Sequence, residues 1–263
     1  MDLYVKETGL ENAKTIIFLH SGAMAGWMWD DQLKAFSDYH CIVPDLPEHG
    51  LSSEVKPFTI ENSAEIVLDI INEHTINGKA NLVGISLGAQ IVVQILSKAT
   101  ELVEHALISG TLIRSIKQSE TLLKLLNYAI KVYEPVKDTD FFIKANMKTY
   151  NMPKNLFDKF KESTLLVNRD SIERILTESM LFKLPNGLEN VKAPVLVMTG
   201  EKDYKIIKES ANDLIMSLPT SIGYMAPKVG HTWNLEDPKL FNWVLRRWIN
   251  NESLKDDLLP LKY

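Results

Sequence analysis

Short runs of apolar residues alternate along the chain with longer segments in which apolar residues recur at helical spacing. Six apolar runs bounded by turn residues lie at 15–19, 41–43, 81–85, 106–108, 195–198 and 221–226. Runs of this length are typical of strands buried in a parallel sheet. Residues 60–71 and 240–249 repeat apolar side chains every three or four positions, which predicts amphipathic helices against the sheet. The pattern predicts an α/β fold: a mostly parallel central sheet with helices on both faces.

The segment from 111 to 190 contains no convincing strand and interrupts this alternation. Four helical stretches are predicted there, near 119–133, 138–150, 153–167 and 170–183. We interpret residues 111–190 as a helical cap inserted into a core formed by residues 1–110 and 191–263. The apolar residues of this segment exceed what four short helices need to pack on one another, so we expect a minority of them to line a pocket. The candidates are Leu122, Leu126, Phe141, Phe142, Met147, Met152, Phe157, Leu166, Met180 and Phe182.

One serine has the surroundings of a nucleophile at a sharp strand-to-helix turn. Ser86 lies between Gly84 and Gly88, after an apolar run and before a helical stretch. Such a turn strains the backbone and requires small residues two positions before and after the serine. The following helix N-terminus directs free N–H groups at an oxygen that becomes negative nearby. Glycine and serine are common in loops, so the interpretation depends on an acid and a histidine following in that chain order.

An acid and a histidine follow in that order, each after a predicted strand. Asp203 lies in the loop after the strand near 193–198, and His231 follows Gly230 after the strand at 221–226. A carboxylate on one ring nitrogen would orient the imidazole, and the other nitrogen would accept the serine proton. Alone, Asp203 is equally compatible with an ordinary turn aspartate. Of the six histidines, only His231 lies beyond the acid; the others are His20, His40, His49, His74 and His105.

Acyl-transfer chemistry also requires hydrogen-bond donors for the developing oxyanion. The Leu87 N–H follows the nucleophile, and a second donor is expected from the loop after the strand that ends at 19–20. Gly22 in that loop allows close approach of the backbone, although a glycine-bearing turn that opens the helix at 27–36 is a compatible structural explanation. As substrate-binding residues we predict Ser21, Ala23, Met24, Met147 and Trp233.

With these residues in place, the chain resembles the α/β-hydrolase superfamily, in particular its small, cap-bearing, cofactor-free esterase and lyase-like members. The resemblance runs nearly end to end, and it implies a triad of Ser86, Asp203 and His231 with backbone donors from Gly22 and Leu87. It is carried by residues 18–22 with Trp29 downstream, and by residues 44–52, 84–88, 194–203 and 230–231.

Two positions depart from the pattern of this superfamily. Many relatives have glycine where this chain has Ser21, so the donor is either Gly22 or its neighbour Ala23, and Ser21 Oγ is a candidate for substrate contact. Relatives also often carry glycine at the position of Glu48. We expect the pair Glu48 and His49 to form solvated surface beside the site.

Composition excludes several classes of function. The chain has 263 residues and a formal net charge of −5, and its Lys and Arg residues are dispersed except for Arg246 and Arg247, so neither nucleic acid nor an anionic membrane is an expected partner. The N-terminus lacks the features of a signal peptide and no long apolar segment follows, which predicts a cytoplasmic protein. The single cysteine, Cys41, is expected to be a small buried strand residue.

Motifs for nucleotide, phosphate and zinc binding are absent from the sequence, so we expect no cofactor and no metal. In the superfamily that the chain resembles, epoxide hydrolases and haloalkane dehalogenases carry aspartate at the position of Ser86, so the serine argues against both activities. The leading hypothesis is a serine hydrolase that acts on a small or medium apolar carboxylic ester, as a monomer or homodimer. One alternative is a C–C bond hydrolase or lyase that uses the same triad. Another is a non-catalytic protein that binds an apolar ligand.

Overall fold

A computed structural model of the protein describes residues 3–114, 120–254 and 258–261. Its described residues form one eight-stranded sheet with the order β1-β3-β2-β4-β5-β6-β7-β8. The outer strands β1 and β8 pair antiparallel with their neighbours, and the strands between them pair in parallel. The strands are β1 Val5–Thr8, β2 Thr15–Leu19, β3 His40–Pro44, β4 Ala80–Ile85, β5 Val103–Ser109, β6 Val195–Gly200, β7 Ser221–Ala226 and β8 Leu259–Pro260.

Helices cover both faces of this sheet. Neighbouring residues of a strand point to opposite faces, and accordingly Ile17 packs in one buried cluster with α2, α3 and α8, whereas Phe18 packs in a second cluster with α1 and α10. This arrangement confirms the predicted fold class. The helices are α1 Asp30–Ala35, α2 Ile60–His74, α3 Leu87–Ala99, α4 Glu120–Tyr133, α5 Asp140–Thr149, α6 Phe157–Leu166, α7 Arg169–Leu181, α8 Lys205–Ser217, α9 Trp233–Glu236 and α10 Pro238–Ile249.

Helices α4 to α7 lie between β5 and β6, within the segment that we interpret as a cap. Their ends follow local signals: Thr139 Oγ1 accepts the Phe142 N–H at the start of α5, and Asn168 Oδ1 accepts the Ser171 N–H at the start of α7. The side chains of Leu122 and Leu126 lie outside the described residues. No helix in the described ranges has both the length and the apolar character required to cross a membrane.

Cys41 occupies the interior of β3. Its side chain is fully buried, and its thiol donates to the Phe36 carbonyl at 3.4 Å. Burial raises the pKa of the Cys41 thiol to about 12, so the thiol stays protonated and packs as a small apolar group.

Candidate active site

Ser86 lies at a strained turn between β4 and α3, with φ of 56° and ψ of −110°. The flanking glycines are required by the close crossing of the backbone. A Cβ on Gly84 would lie 2.5 Å from the carbonyl carbon of Gly88, and a Cβ on Gly88 would lie 2.2 Å from the carbonyl oxygen of Leu19. The Ser86 N–H donates to the Ser109 carbonyl at 2.8 Å, which ties the turn to the end of β5.

Asp203 and His231 meet beyond the carboxyl ends of β6 and β7. The Nδ1 atom of His231 lies 3.0 Å from Oδ2 and 3.1 Å from Oδ1 of Asp203, and the Asp203 side chain is fully buried. Asp203 Oδ1 also accepts the Tyr204 N–H at 2.8 Å. Because an ionised carboxylate only accepts hydrogen bonds, this contact places the imidazole proton on Nδ1 and leaves Nε2 free to accept one.

Gly110 positions the imidazole at the end of β5. It has a φ of +65°, and a Cβ on it would lie 2.9 Å from Cε1 of His231 and 3.1 Å from Nδ1. The ring therefore packs directly against the residue that follows Ser109, the hydrogen-bond partner of the Ser86 backbone. Gly110 was not predicted as a site residue; its signal in the sequence is a glycine two residues after the predicted strand at 106–108.

Ser86 and His231 both line a cavity of about 380 Å³. Ser86 Oγ and His231 Nε2 form no hydrogen bond in this structure; hydrogen bonds of catalytic groups commonly tighten when a substrate binds. The geometry therefore brings the three predicted catalytic side chains to one place.

The expected oxyanion donors lie on the same cavity. Within the described ranges, the N–H groups of Gly22, Ala23 and Leu87 donate to no protein acceptor. A Cβ on Gly22 would lie 3.7 Å from Cδ2 of Leu87, so the loop after β2 and the start of α3 are adjacent. Ala23 has a left-handed φ of 59°, and both it and Gly22 stay candidates for the second donor.

Helices α4 to α7 and the loops between them supply most of the residues that line the cavity. Their lining residues are mainly apolar or aromatic, and no lysine, arginine, aspartate or glutamate lines the cavity among the described residues. Burial raises the pKa values of Tyr133 and Tyr150, so both phenols stay neutral. The residues contributed by these helices and the loops between them are Ala129, Ile130, Tyr133, Asn146, Tyr150, Phe160, Val167, Ile172, Ile175, Leu176 and Ser179.

Of the predicted substrate-binding residues, Ser21 and Ala23 line the cavity, whereas Met24, Met147 and Trp233 do not. These three side chains are buried in the same hydrophobic cluster as Phe18. The Trp233 indole donates to Ser109 Oγ at 2.9 Å.

Met147 lies one position along α5 from the residue that lines the cavity. It lies four residues after Ile143, on the face of α5 that packs inward, and both side chains are buried. The neighbouring Asn146 lines the cavity instead. Asn146 and the four lining residues of α7 belong to no distinctive sequence motif, and the candidate predicted in α7, Met180, does not line the cavity.

The expectation that Glu48 and His49 form solvated surface needs correction. The structure buries both residues, with Glu48 only 1% exposed. Arg174 of α7 pairs with the Glu48 carboxylate, and the His49 ring packs against the rings of His20 and Phe58. A charged residue in a polar loop looks exposed in the sequence because its partner lies 126 positions further along the chain.

The other five histidines have structural partners. His20 Nε2 accepts the Leu46 N–H at 2.9 Å, which requires its Nδ1 to donate to the Ser21 carbonyl. His49 Nδ1 contacts the Pro47 carbonyl at 2.8 Å. His40 and His74 contact Glu7, and His105 contacts Asn81 and Asn251.

We expect burial of His20 and His49 to lower the free energy of unfolding in acid. Burial lowers the pKa of His20 to about 4 and that of His49 to about 3, whereas an exposed histidine titrates near 6.5. Below about pH 6.5 these two histidines bind protons in the unfolded chain but stay neutral in the folded protein. The free energy of unfolding therefore has their full contribution above about pH 6.5 and falls as the pH is lowered. Each ring contributes roughly 1.4 kcal/mol per pH unit in this window.

Urea unfolding between pH 7.5 and pH 4.5 measures this effect. The variant His49→Asn keeps an N–H donor close to the position of Nδ1 and has no titrating group there. Its free energy of unfolding is expected to decline less steeply with falling pH than that of the wild type. Identical slopes for the two proteins would contradict a buried neutral His49.

The comparisons with known proteins agree with this architecture. Residues 16–242 match the model of the alpha/beta hydrolase family. The chain belongs to this family and is an enzyme of it.

Alignments with individual relatives cover most of this chain and most of each relative. The chain is 22% identical over 250 residues to an AB hydrolase superfamily protein of Gibberella zeae, covering 92% of this chain and 82% of the relative. It is 26% identical over 252 residues to a putative 2-succinyl-6-hydroxy-2,4-cyclohexadiene-1-carboxylate synthase of Haemophilus influenzae, covering 86% and 94%. A thermophilic esterase from Thermogutta terrifontis superimposes with a TM-score of 0.77 at 20% identity, covering 95% of this chain and 93% of the esterase, which shows a shared fold.

Proposed function

We propose that the protein hydrolyses small or medium neutral carboxylic esters through an acyl-enzyme on Ser86. The observation that carries the proposal is the pairing of His231 with buried Asp203 on the same cavity as a serine held at a strained turn. This is the arrangement of nucleophile, base and orienting acid that acyl transfer requires.

Each residue has a distinct role in the proposed reaction. Ser86 Oγ attacks the acyl carbon while His231 Nε2 accepts its proton, and the proton then passes to the departing alkoxide. A water molecule then gives a proton to His231 Nε2 and attacks the acyl carbon. As the bond to Ser86 Oγ breaks and the acid leaves, His231 returns that proton to Ser86 Oγ. The N–H groups of Leu87 and of Gly22 or Ala23 stabilise the oxyanion, and loss of one such donor typically costs about 3–4 kcal/mol of transition-state stabilisation.

The cavity wall favours an uncharged substrate. A carboxylate moved from water into an apolar cavity without a cationic partner loses several kcal/mol of solvation free energy. The described lining residues offer no lysine or arginine as such a partner. An ester with an apolar acyl chain matches this wall, which includes Val167, Ile172 and Ile175.

A second candidate is lyase or C–C bond chemistry with the same triad. It is supported by the similarity to the relative named as a carboxylate synthase. In such a reaction His231 would shuttle protons, and Ser86 need not form a durable acyl-enzyme. The relative is named for a carboxylate compound, and the described lining of this cavity offers no cationic partner for a carboxylate. The uncharged wall therefore favours ester hydrolysis over this candidate.

Labelling with a fluorophosphonate tests whether Ser86 is nucleophilic. We expect one adduct per chain, located on Ser86 by peptide mass spectrometry, together with turnover of p-nitrophenyl acetate and butyrate. Heat-denatured protein is the control, because an unactivated serine hydroxyl reacts poorly. Absence of both the adduct and ester turnover in the folded protein would overturn the proposal.

A further inference from the structure

The side chain of Glu48 connects the loop after β3 to helix α7. Its backbone has a left-handed φ of 62°, and its carboxylate is buried. Oε2 accepts hydrogen bonds from Arg174 Nε at 2.9 Å and from the Phe58 N–H at 3.1 Å. Oε1 accepts from Arg174 Nη2 and from Ser171 Oγ, the latter at 3.1 Å. Two of these donor residues belong to α7, so the carboxylate holds this helix at two points.

Helix α7 forms part of the apolar wall of the cavity. Ile172, Ile175 and Leu176 line the cavity, whereas Ser171 and Arg174 contact Glu48. A Cβ on Gly22 would lie 3.7 Å from Cγ2 of Ile175, so this wall reaches the loop of the expected oxyanion donors. A rotation or shift of α7 would therefore move the apolar side chains relative to Ser86.

The loop that carries Glu48 is itself held against the site. The Leu46 N–H donates to His20 Nε2, and His20 Nδ1 donates to the Ser21 carbonyl. The loop that carries Glu48 is thus connected through His20 to Ser21, the residue before Gly22. The hydrogen bonds of Glu48 in turn connect this loop to α7.

The charge of Glu48 is retained despite its burial. Burial acts to raise the pKa of this carboxyl, but the hydrogen bonds from Arg174 and the Phe58 N–H outweigh it and hold the pKa below its ordinary value. The Arg174 guanidinium forms a two-pronged contact, a geometry that fixes orientation as well as distance.

We propose that Glu48 is a positioning residue: through Arg174 and Ser171 it fixes α7, and thereby sets how long an acyl chain the cavity accepts. The effect on acyl-chain length rests on the proposed ester hydrolysis. The positioning of α7 by Glu48 does not require any activity.

Kinetics with an ester series tests the acyl-chain statement. Glycine adopts the backbone conformation of residue 48 without strain, so Glu48→Gly removes the contact while relieving the backbone. Arg174→Met removes the partner and leaves the Phe58 N–H bonded to Glu48. For both variants we expect KM for p-nitrophenyl octanoate to rise about tenfold, and kcat and KM for the acetate to change less than about twofold.

Two further variants sharpen this measurement. Arg174→Lys retains the charge without the two-pronged geometry and should give an intermediate KM for the octanoate. Glu173→Gln removes a charge from the same helix without touching Glu48, and its chain-length profile should match the wild type. Unchanged octanoate KM in Glu48→Gly and Arg174→Met would overturn the acyl-chain statement. If Glu48→Gly does not fold, Arg174→Met decides the outcome.

Hydrogen exchange of the substrate-free protein tests the positioning role separately. We expect amides of residues 169–181 to exchange at least about fivefold faster in Arg174→Met than in the wild type or Glu173→Gln, with exchange in α3 unchanged. Equal exchange in all three proteins would overturn the positioning role. Faster exchange in a protein that hydrolyses no ester would refute the proposed function while supporting the role of Glu48 on α7.

Discussion

Replacement of Ser86 by alanine is expected to lower kcat/KM for p-nitrophenyl butyrate by about 10⁴-fold or more. The alanine side chain offers no oxygen to the acyl carbon, so any residual hydrolysis must use water and the oxyanion donors alone. The fold should be unaffected for two reasons. The Ser86 hydroxyl makes no hydrogen bond within the described ranges, and serine and alanine share the cost of the left-handed φ of 56°.

Steady-state kinetics and a thermal melt together check this prediction. Ser97→Ala is the matched control, because Ser97 lies in helix α3, which follows Ser86, and among the described residues its hydroxyl donates only to the Gln94 carbonyl. Both variants should melt close to the wild type, and only Ser86→Ala should lose turnover. Retention of more than about one part in a hundred of the activity would exclude Ser86 as the nucleophile.

Replacement of Gly110 by alanine is expected to lower kcat by about 10²-fold, although Gly110 carries no chemistry. The new Cβ would lie 2.9 Å from Cε1 of His231 and 3.6 Å from Oδ2 of Asp203, closer to the ring than carbon atoms pack. Since the β5 backbone is held in the sheet, the imidazole must move. A displacement of about 1 Å takes Nε2 out of line with Ser86 Oγ, which slows proton transfer.

Gly78→Ala separates this steric effect from backbone strain. Gly78 has a φ of +68°, close to the +65° of Gly110, but a Cβ on Gly78 would meet nothing within 4 Å. Both variants should lose about 1–2 kcal/mol of stability from the left-handed conformation. Only Gly110→Ala should lose activity, as measured by kcat at saturating ester. Equal kcat values for the two variants would show that Gly110 does not position His231.

Much of the fold could be predicted because strand and helix signals are local. Each of the strands β2 to β7 contains one of the six apolar runs, and helices α4 to α7 lie close to the four predicted stretches. The edge strands β1 and β8 were not predicted, because the local signal for a buried strand is an apolar run. The residues of β1 are intermediate or exposed, and β8 has two exposed residues, so neither forms an apolar run.

The sequence by itself determined the order of serine, acid and histidine, and it placed each after a predicted strand. In a parallel sheet such positions meet at one edge, so the contact between Asp203 and His231 follows from chain order and strand direction. Even the need for Gly84 and Gly88 is local, because it arises from the backbone turn around Ser86.

Only the tertiary structure decided which side chains surround that edge. Whether Asn146 or Met147 faces the cavity depends on the rotation of α5 against its neighbours. The packing of the His231 ring against Gly110 depends on how two loops far apart in sequence come together. The burial of Glu48 depends on Arg174, which reaches it from another part of the chain. Such contacts have no local signal, because packing of elements far apart in sequence creates them.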